Sequence, residues 1–300
     1  MTSITLRIWV QIFKESVKEF QQDNAIHYAA ALSYYTIFSL PPIIIIIVTI
    51  MGSIFGEDAA KGEIYAHLNQ FMGHESAIQL QDVTERAGQL RSTQLARFIG
   101  FFVLLITSTG VFVSLQNALN VIWRVKSKPK SGIIKLLINR VLSFSMILTI
   151  GFLLLVSLVI HGAIVGLSNL LNDLFSGITV FAIQFLNFTL PLTIITLLFA
   201  LIFKILPDVR IRWKEIWVGA GFTALLFTLG KYLIGLYVTH VNIGSAYGAA
   251  GTVLVLLTWV FYSSIIILFG AEFTKVYAKT FGQEIKPSSY AVRMEMHYLD

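Results

Sequence analysis

Six apolar stretches, each long enough to cross a hydrocarbon layer of about 30 Å, leave this chain few alternatives to a helical membrane fold. They run close to residues 28–51, 98–121, 141–163, 178–203, 216–238 and 247–271. In lipid every backbone N–H and C=O must find a partner inside the protein, so runs of this length form helices. Composition agrees: 56% of residues are hydrophobic and 13% charged, about half the charged fraction of an ordinary soluble domain. The expectation is an all-α integral membrane protein of about six transmembrane helices, built as a single membrane domain over residues 1–300.

The connecting segments supply orientation. Residues 4–22 place Leu6, Trp9, Phe13, Val17 and Phe20 at spacings of three and four among Lys and Glu, which predicts an amphipathic helix. Such a helix lies along the cytoplasmic interface, packs under the bundle, or does both. Residues 52–97 carry six acidic residues among helix formers and are expected to form a helical extracytoplasmic loop, while residues 276–300 form a cytoplasmic tail. With the N-terminus inside, the cytoplasmic segments hold 17 of the Lys and Arg residues and the outer segments four, with Lys231 alone in a span. Positive charge is retained on the cytoplasmic side, so both termini are expected there. The first 25 residues contain charges every few positions and no continuous apolar core, so a cleaved signal peptide is not expected.

The net charge of +6 raises a nucleic-acid partner, but the basic residues sit between apolar runs where insertion topology accounts for them. No nucleic acid is expected; membrane lipids are. The absence of cysteine removes thiolate catalysis and cysteine metal sites. The six histidines, His27, His67, His74, His161, His240 and His297, are scattered, without the clustered ligands that a metal-dependent hydrolase needs. No P-loop is present. No catalytic residues, metal or cofactor are therefore expected, and the chain does not read as an enzyme.

Polar groups inside apolar runs face a protein interior or a wet cavity. The first run holds Tyr34, Tyr35 and the pair Pro41-Pro42. Two prolines remove two backbone donors, so a kink or break is expected near mid-membrane; a substrate site and a packing kink are both open there. In the second run Gln116, Asn117 and Asn120 are candidates, with Asn117 and Asn120 on one face; they either bond across helices or contact substrate. Lys231 either reaches the outer headgroups or makes a cavity attractive to an anion. Glu272, at the end of the last run, either pairs with a basic side chain or forms a proton or cation site.

Several of these motifs coincide with one family. Ala29-Ala30-Ala31-Leu32-Ser33-Tyr34-Tyr35 with Phe38-Ser39-Leu40-Pro41-Pro42 resembles the first-span signature of the YihY/BrkB membrane proteins, formerly labelled ribonuclease BN. Leu119-Asn120-Val121-Ile122-Trp123, Leu206-Pro207-Asp208 with Trp213 and Gly219-Ala220, and Tyr247-Gly248-Ala249-Ala250-Gly251 through Trp259 to Gly270-Ala271-Glu272 are similar to further signatures of that family. The resemblance covers almost the whole chain. It implies a six-span protein of the bacterial inner (plasma) membrane in a family linked to virulence, with no agreed site residues to carry over. Three functions follow as expectations: a transporter or permease of an anionic or lipid-like solute, a non-catalytic scaffold or envelope-integrity factor, and a ribonuclease, which the scattered histidines disfavour.

Overall fold

The computed structural model describes residues 2–72, 110–128, 178–241, 249–281, 285–288 and 291–294, with isolated positions between 77 and 85 and between 141 and 153. Among the continuously described residues the elements follow in order: α1 (Thr2–Gln22), α2 (Ala25–Phe55), α3 (Glu57–Met72), α4 (Gly110–Ile122), β1 (Val125–Ser127), α5 (Ile178–Ile205), β2 (Val209–Arg210), α6 (Trp213–Val241), α7 (Ala249–Thr280), β3 (Lys286–Pro287) and β4 (Ala291–Arg293). The protein is an all-α integral membrane protein. Stretches of α2 (Ala25–Ser53), α6 (Trp213–Ile234) and α7 (Val253–Thr280) are long and apolar enough to cross a membrane, and α4 and the second half of α5 are shorter apolar helices. The expected third span, 141–163, falls almost wholly outside the described residues, as do much of the 52–97 loop and the start of the second span.

At its centre α7 packs against α2 on one side and α6 on another, with α5 beyond α6 and α1 lying across the last turns of α7. The α6–α7 seam is set by glycine. A Cβ on Gly219 would lie 2.7 Å from Thr274 Cβ, and one on Gly270 would lie 2.8 Å from Thr223 Cβ. The pairing is reciprocal: each helix offers one glycine notch and one threonine knob, which brings the backbones together where lipid supplies no hydrophobic drive. Both threonine hydroxyls donate to their own helix, Thr223 to Gly219 O and Thr274 to Gly270 O. Ser33 and Thr36, conspicuous in the first apolar run, are satisfied the same way, by Ala30 O and Leu32 O at 2.7 Å each. Hydroxyls bonded within their own helix need no cavity.

Two expectations change here. The helix does not break at Pro41-Pro42, because α2 is one helix from Ala25 to Phe55. The prolines forfeit their own donors, and packing of Ile43, Ile44, Ile46 and Ile47 into the core holds the following turns in place. Asn117 does not work with Asn120: it is exposed, whereas Gln116 and Asn120, one turn apart, are buried together.

Candidate functional site

Five segments meet at the end of the bundle that carries most of the basic residues, and two polar assemblies hold them. The first is centred on Asp208, in the turn between α5 and β2. Its carboxylate accepts from Gln116 Nε2 at 3.2 Å and Asn120 Nδ2 at 2.9 Å, and its backbone N–H donates to Asn120 Oδ1 at 2.8 Å. Its carbonyl accepts from Ser288 N–H in the tail. The tail is paired twice more, antiparallel in both cases: β4 with β1 (Val125 opposite Arg293) and β3 with β2 (Val209 opposite Pro287). Gln116 and Asn120 thus bond from α4 to the turn that follows α5.

The second assembly is ionic. Glu19 and Asp23 are one turn apart on α1 and its exit, aligned with Ile12 and Ser16 on the face turned to α7. Glu272, Lys275 and Lys279 share a face of α7 at i, i+3 and i+7. Lys275 Nζ lies 2.6 Å from Glu19, 3.0 Å from Asp23 and 2.6 Å from Glu272. Arg124, just past α4, reaches Glu19 at 3.2 Å and Asp23 at 3.1 Å. Lys279 closes the rim at 3.5 Å from Glu19. Three carboxylates face three cations, and Glu272, Asp23 and Lys275 are buried. The Glu272 oxygens make no well-directed hydrogen bond; the 2.6 Å approach of Lys275 is a close ion pair without that geometry.

Two backbone irregularities frame the centre. Asn24 and Arg124 both adopt the left-handed conformation, at φ 51° and 54°. Asn tolerates this region, whereas for Arg it costs of order 1 kcal/mol or more. Met294 N–H donates to Arg124 O at 2.8 Å, so the tail helps hold that turn. Burial alone would raise the Glu19 carboxyl; the hydrogen bond from Lys275 and the charges of Lys275, Lys279 and Arg124 outweigh it and hold its pKa down to about 2.

Carboxylate oxygens of Glu19, Asp23 and Glu272 all lie within 4.8 Å of one another, spacing that could hold a metal ion. The Lys275 ammonium already sits among them, so the arrangement is an internal ion cage. The other sequence candidates lie elsewhere. Tyr34 and Tyr35 are exposed on α2, ring against ring at 5.8 Å, with Tyr35 also resting on Gly110. Pro41 is buried within α2, beside Pro42 in the chain. Lys231 is half-buried with its ammonium 5.2 Å from the Tyr232 ring. It stands 18 residues beyond Trp213 along α6, about 27 Å at helical rise and close to the full hydrocarbon thickness. Of the candidate residues only Glu272 joins the ionic centre. Glu19, Asp23, Arg124 and Lys275 are not singled out by the sequence, because the face of α1 turned to α7 carries Ile12, Ser16, Glu19 and Asp23 rather than the stripe of Trp9, Phe13 and Val17.

The family model for Virulence factor BrkB matches residues 16–295, a range that contains every residue of both assemblies. The chain belongs to the BrkB family. Among its relatives are proteins named UPF0761 membrane protein. That of Chromohalobacter salexigens is 28% identical over 89% of this chain and 63% of its own length; that of Alteromonas mediterranea is 28% identical over 94% and 92%. The Rhodospirillum centenum relative is 30% identical over 88% of this chain and 57% of its own length. The chain thus spans less than two thirds of some of these BrkB relatives and nearly all of another. No solved structure matches it.

Proposed function

We propose that this BrkB protein is a transporter or permease for an anionic or lipid-like solute, with six spans in the bacterial inner membrane and both termini in the cytoplasm. In this conformation the Lys275 centre closes its cytoplasmic end. The observation that carries the reading is the burial of that centre. Taking a Lys and two carboxylates out of water costs about as much as their attraction returns, so a buried ion network is a poor way to gain stability. It is a good way to hold helices in one of two arrangements, because hydration or protonation releases it. The same charge balance argues against hydrolytic chemistry, since an ammonium neutralises the carboxylates a metal would need.

A second reading, a non-catalytic scaffold or envelope-integrity factor, draws on the Asp208 assembly, where both buried amides of α4 are already spent on structure. Purified protein in liposomes separates the two. Entry of anionic dyes and flipping of fluorescent phospholipid should exceed protein-free vesicles, and neutralising the centre with Glu272→Gln plus Lys275→Met should raise the rate. A folded protein with no flux in either form sinks the transport reading and leaves the scaffold. Orientation is tested in the cysteine-free chain by Asp173→Cys and Asp300→Cys, which should react with an impermeant maleimide from opposite sides.

A further inference from the structure

The docked helix α1 divides into three arcs. Ile12, Ser16, Glu19 and Asp23 face α7. Next around the helix come Trp9, Val10, Phe13 and Val17, whose exposures of 40%, 47%, 47% and 37% leave a large part of each outside the bundle. Trp9 and Phe13 touch Phe273 and Phe269 with one side only. Beyond them lie Arg7, Lys14 and Lys18, all exposed and on one face at spacings of seven and four. Arg7, Val10 and Lys14 line a shallow groove with Gln11 and Glu15, so three basic groups and one acidic group occupy the outer side.

A helix lying against water alone has no use for the apolar arc, and one lying within a protein core has no use for the basic arc. Apolar and basic arcs side by side match a leaflet boundary, where acyl chains meet headgroup phosphates. The neighbouring surface fixes the same level. Trp213 and Trp217 are each 45% exposed at the start of α6, and Val218 and Phe222 of that helix pack against the cluster that Ile12 of α1 forms with Phe273 and Val276. Lys204 stands over the Trp213 ring at 5.4 Å and donates to Ile211 O. Exposed tryptophans beside lysines mark a membrane–water interface.

We propose that the outer side of α1 is a binding surface for anionic phospholipid headgroups, with Arg7, Lys14 and Lys18 contacting phosphate and Val10, Phe13 and Val17 contacting acyl chain. The proposal stands whether or not the protein transports anything. Its ligand also meets the helix that carries Glu19 and Asp23, so lipid held on one side favours the docked position that assembles the ion centre on the other.

The chain contains no cysteine, so Val10→Cys in the full-length protein carries a single fluorescent label. Reconstituted in phosphatidylcholine vesicles, that label should be quenched by spin-labelled phosphatidylglycerol at several-fold lower mole fraction than by spin-labelled phosphatidylcholine. Arg7→Gln, Lys14→Gln and Lys18→Gln together should remove the preference at low salt, and each alone should weaken it. Glu15→Gln should strengthen it, a change in sign that misfolding does not produce. Equal quenching by the two lipids, a preference that survives the triple variant, or no quenching by either lipid overturns the proposal; the last outcome leaves this face to water or a protein partner. Loss of the preference on adding inorganic phosphate at matched ionic strength also overturns it, in favour of a small-anion site.

Discussion

On one side α7 meets α6 through Gly270 and Thr274 set against Thr223 and Gly219, whereas on another, in the same turns, its Lys275 meets Glu19 and Asp23 of α1 and its exit. The first contact is one of shape and the second one of charge. Close packing has a single good arrangement and responds little to pH or water. An ion cage depends on both, since protonation or hydration of one member changes the balance for all. One helix therefore has a permanent side and a releasable side.

The largest effect that would separate the two is loss of Lys275. Lys275→Met leaves three clustered carboxylates without their central cation, and stability should fall by about 3–5 kcal/mol. Thermal unfolding in nanodiscs reads this, and a change below about 1 kcal/mol would mean that the cage is wet in the bilayer. Next comes Gly219→Ala, which drives a methyl group into Thr274 and should cost about 1–3 kcal/mol at any pH. Thr274→Ala should rescue part of that loss by removing the knob, and failure to rescue would place the strain elsewhere.

Asn120→Ala should cost about 1–3 kcal/mol, because the Asp208 carboxylate and its backbone N–H each lose a buried partner. Acid should act on the charged side of α7 and leave the glycine seam unchanged. Glu19 is held near pKa 2 when folded against an ordinary 4.5. Its contribution is complete above about pH 4.5 and is lost as pH falls toward 2. A label pair on α1 and α7 should separate over that window, while Gly219→Ala keeps the same penalty throughout. Lys231→Met should change stability by no more than about 0.5 kcal/mol, since its ammonium is only half-buried, beside the Tyr232 ring.

Membrane location, helical class and family are legible in the sequence because they rest on long apolar runs and contiguous motifs. The glycine seam is half legible: Gly219 and Gly270 are visible, but their partners Thr274 and Thr223 emerge only when two helices are placed side by side. The ion centre was the hardest to read, as its members lie as far apart as Glu19 and Lys275. Orientation alone accounts for loop charge, so nothing in the sequence marks Arg124 and Lys275 as members of an ion centre. At Pro41-Pro42 the local signal is for a kink or a break, and the helix stays unbroken through the packing of the isoleucines that follow.

A double-mutant cycle on Asp23→Asn and Lys275→Met, read by thermal unfolding of the reconstituted protein, tests the charged end of α7 most directly. The two side chains come from helices that the chain separates by some 250 residues, so local structure cannot couple them. The account predicts a coupling of about 1–3 kcal/mol that shrinks in salt far less than an exposed pair would. Strict additivity of the two losses would show that α1 and α7 are held together by something other than this ion pair.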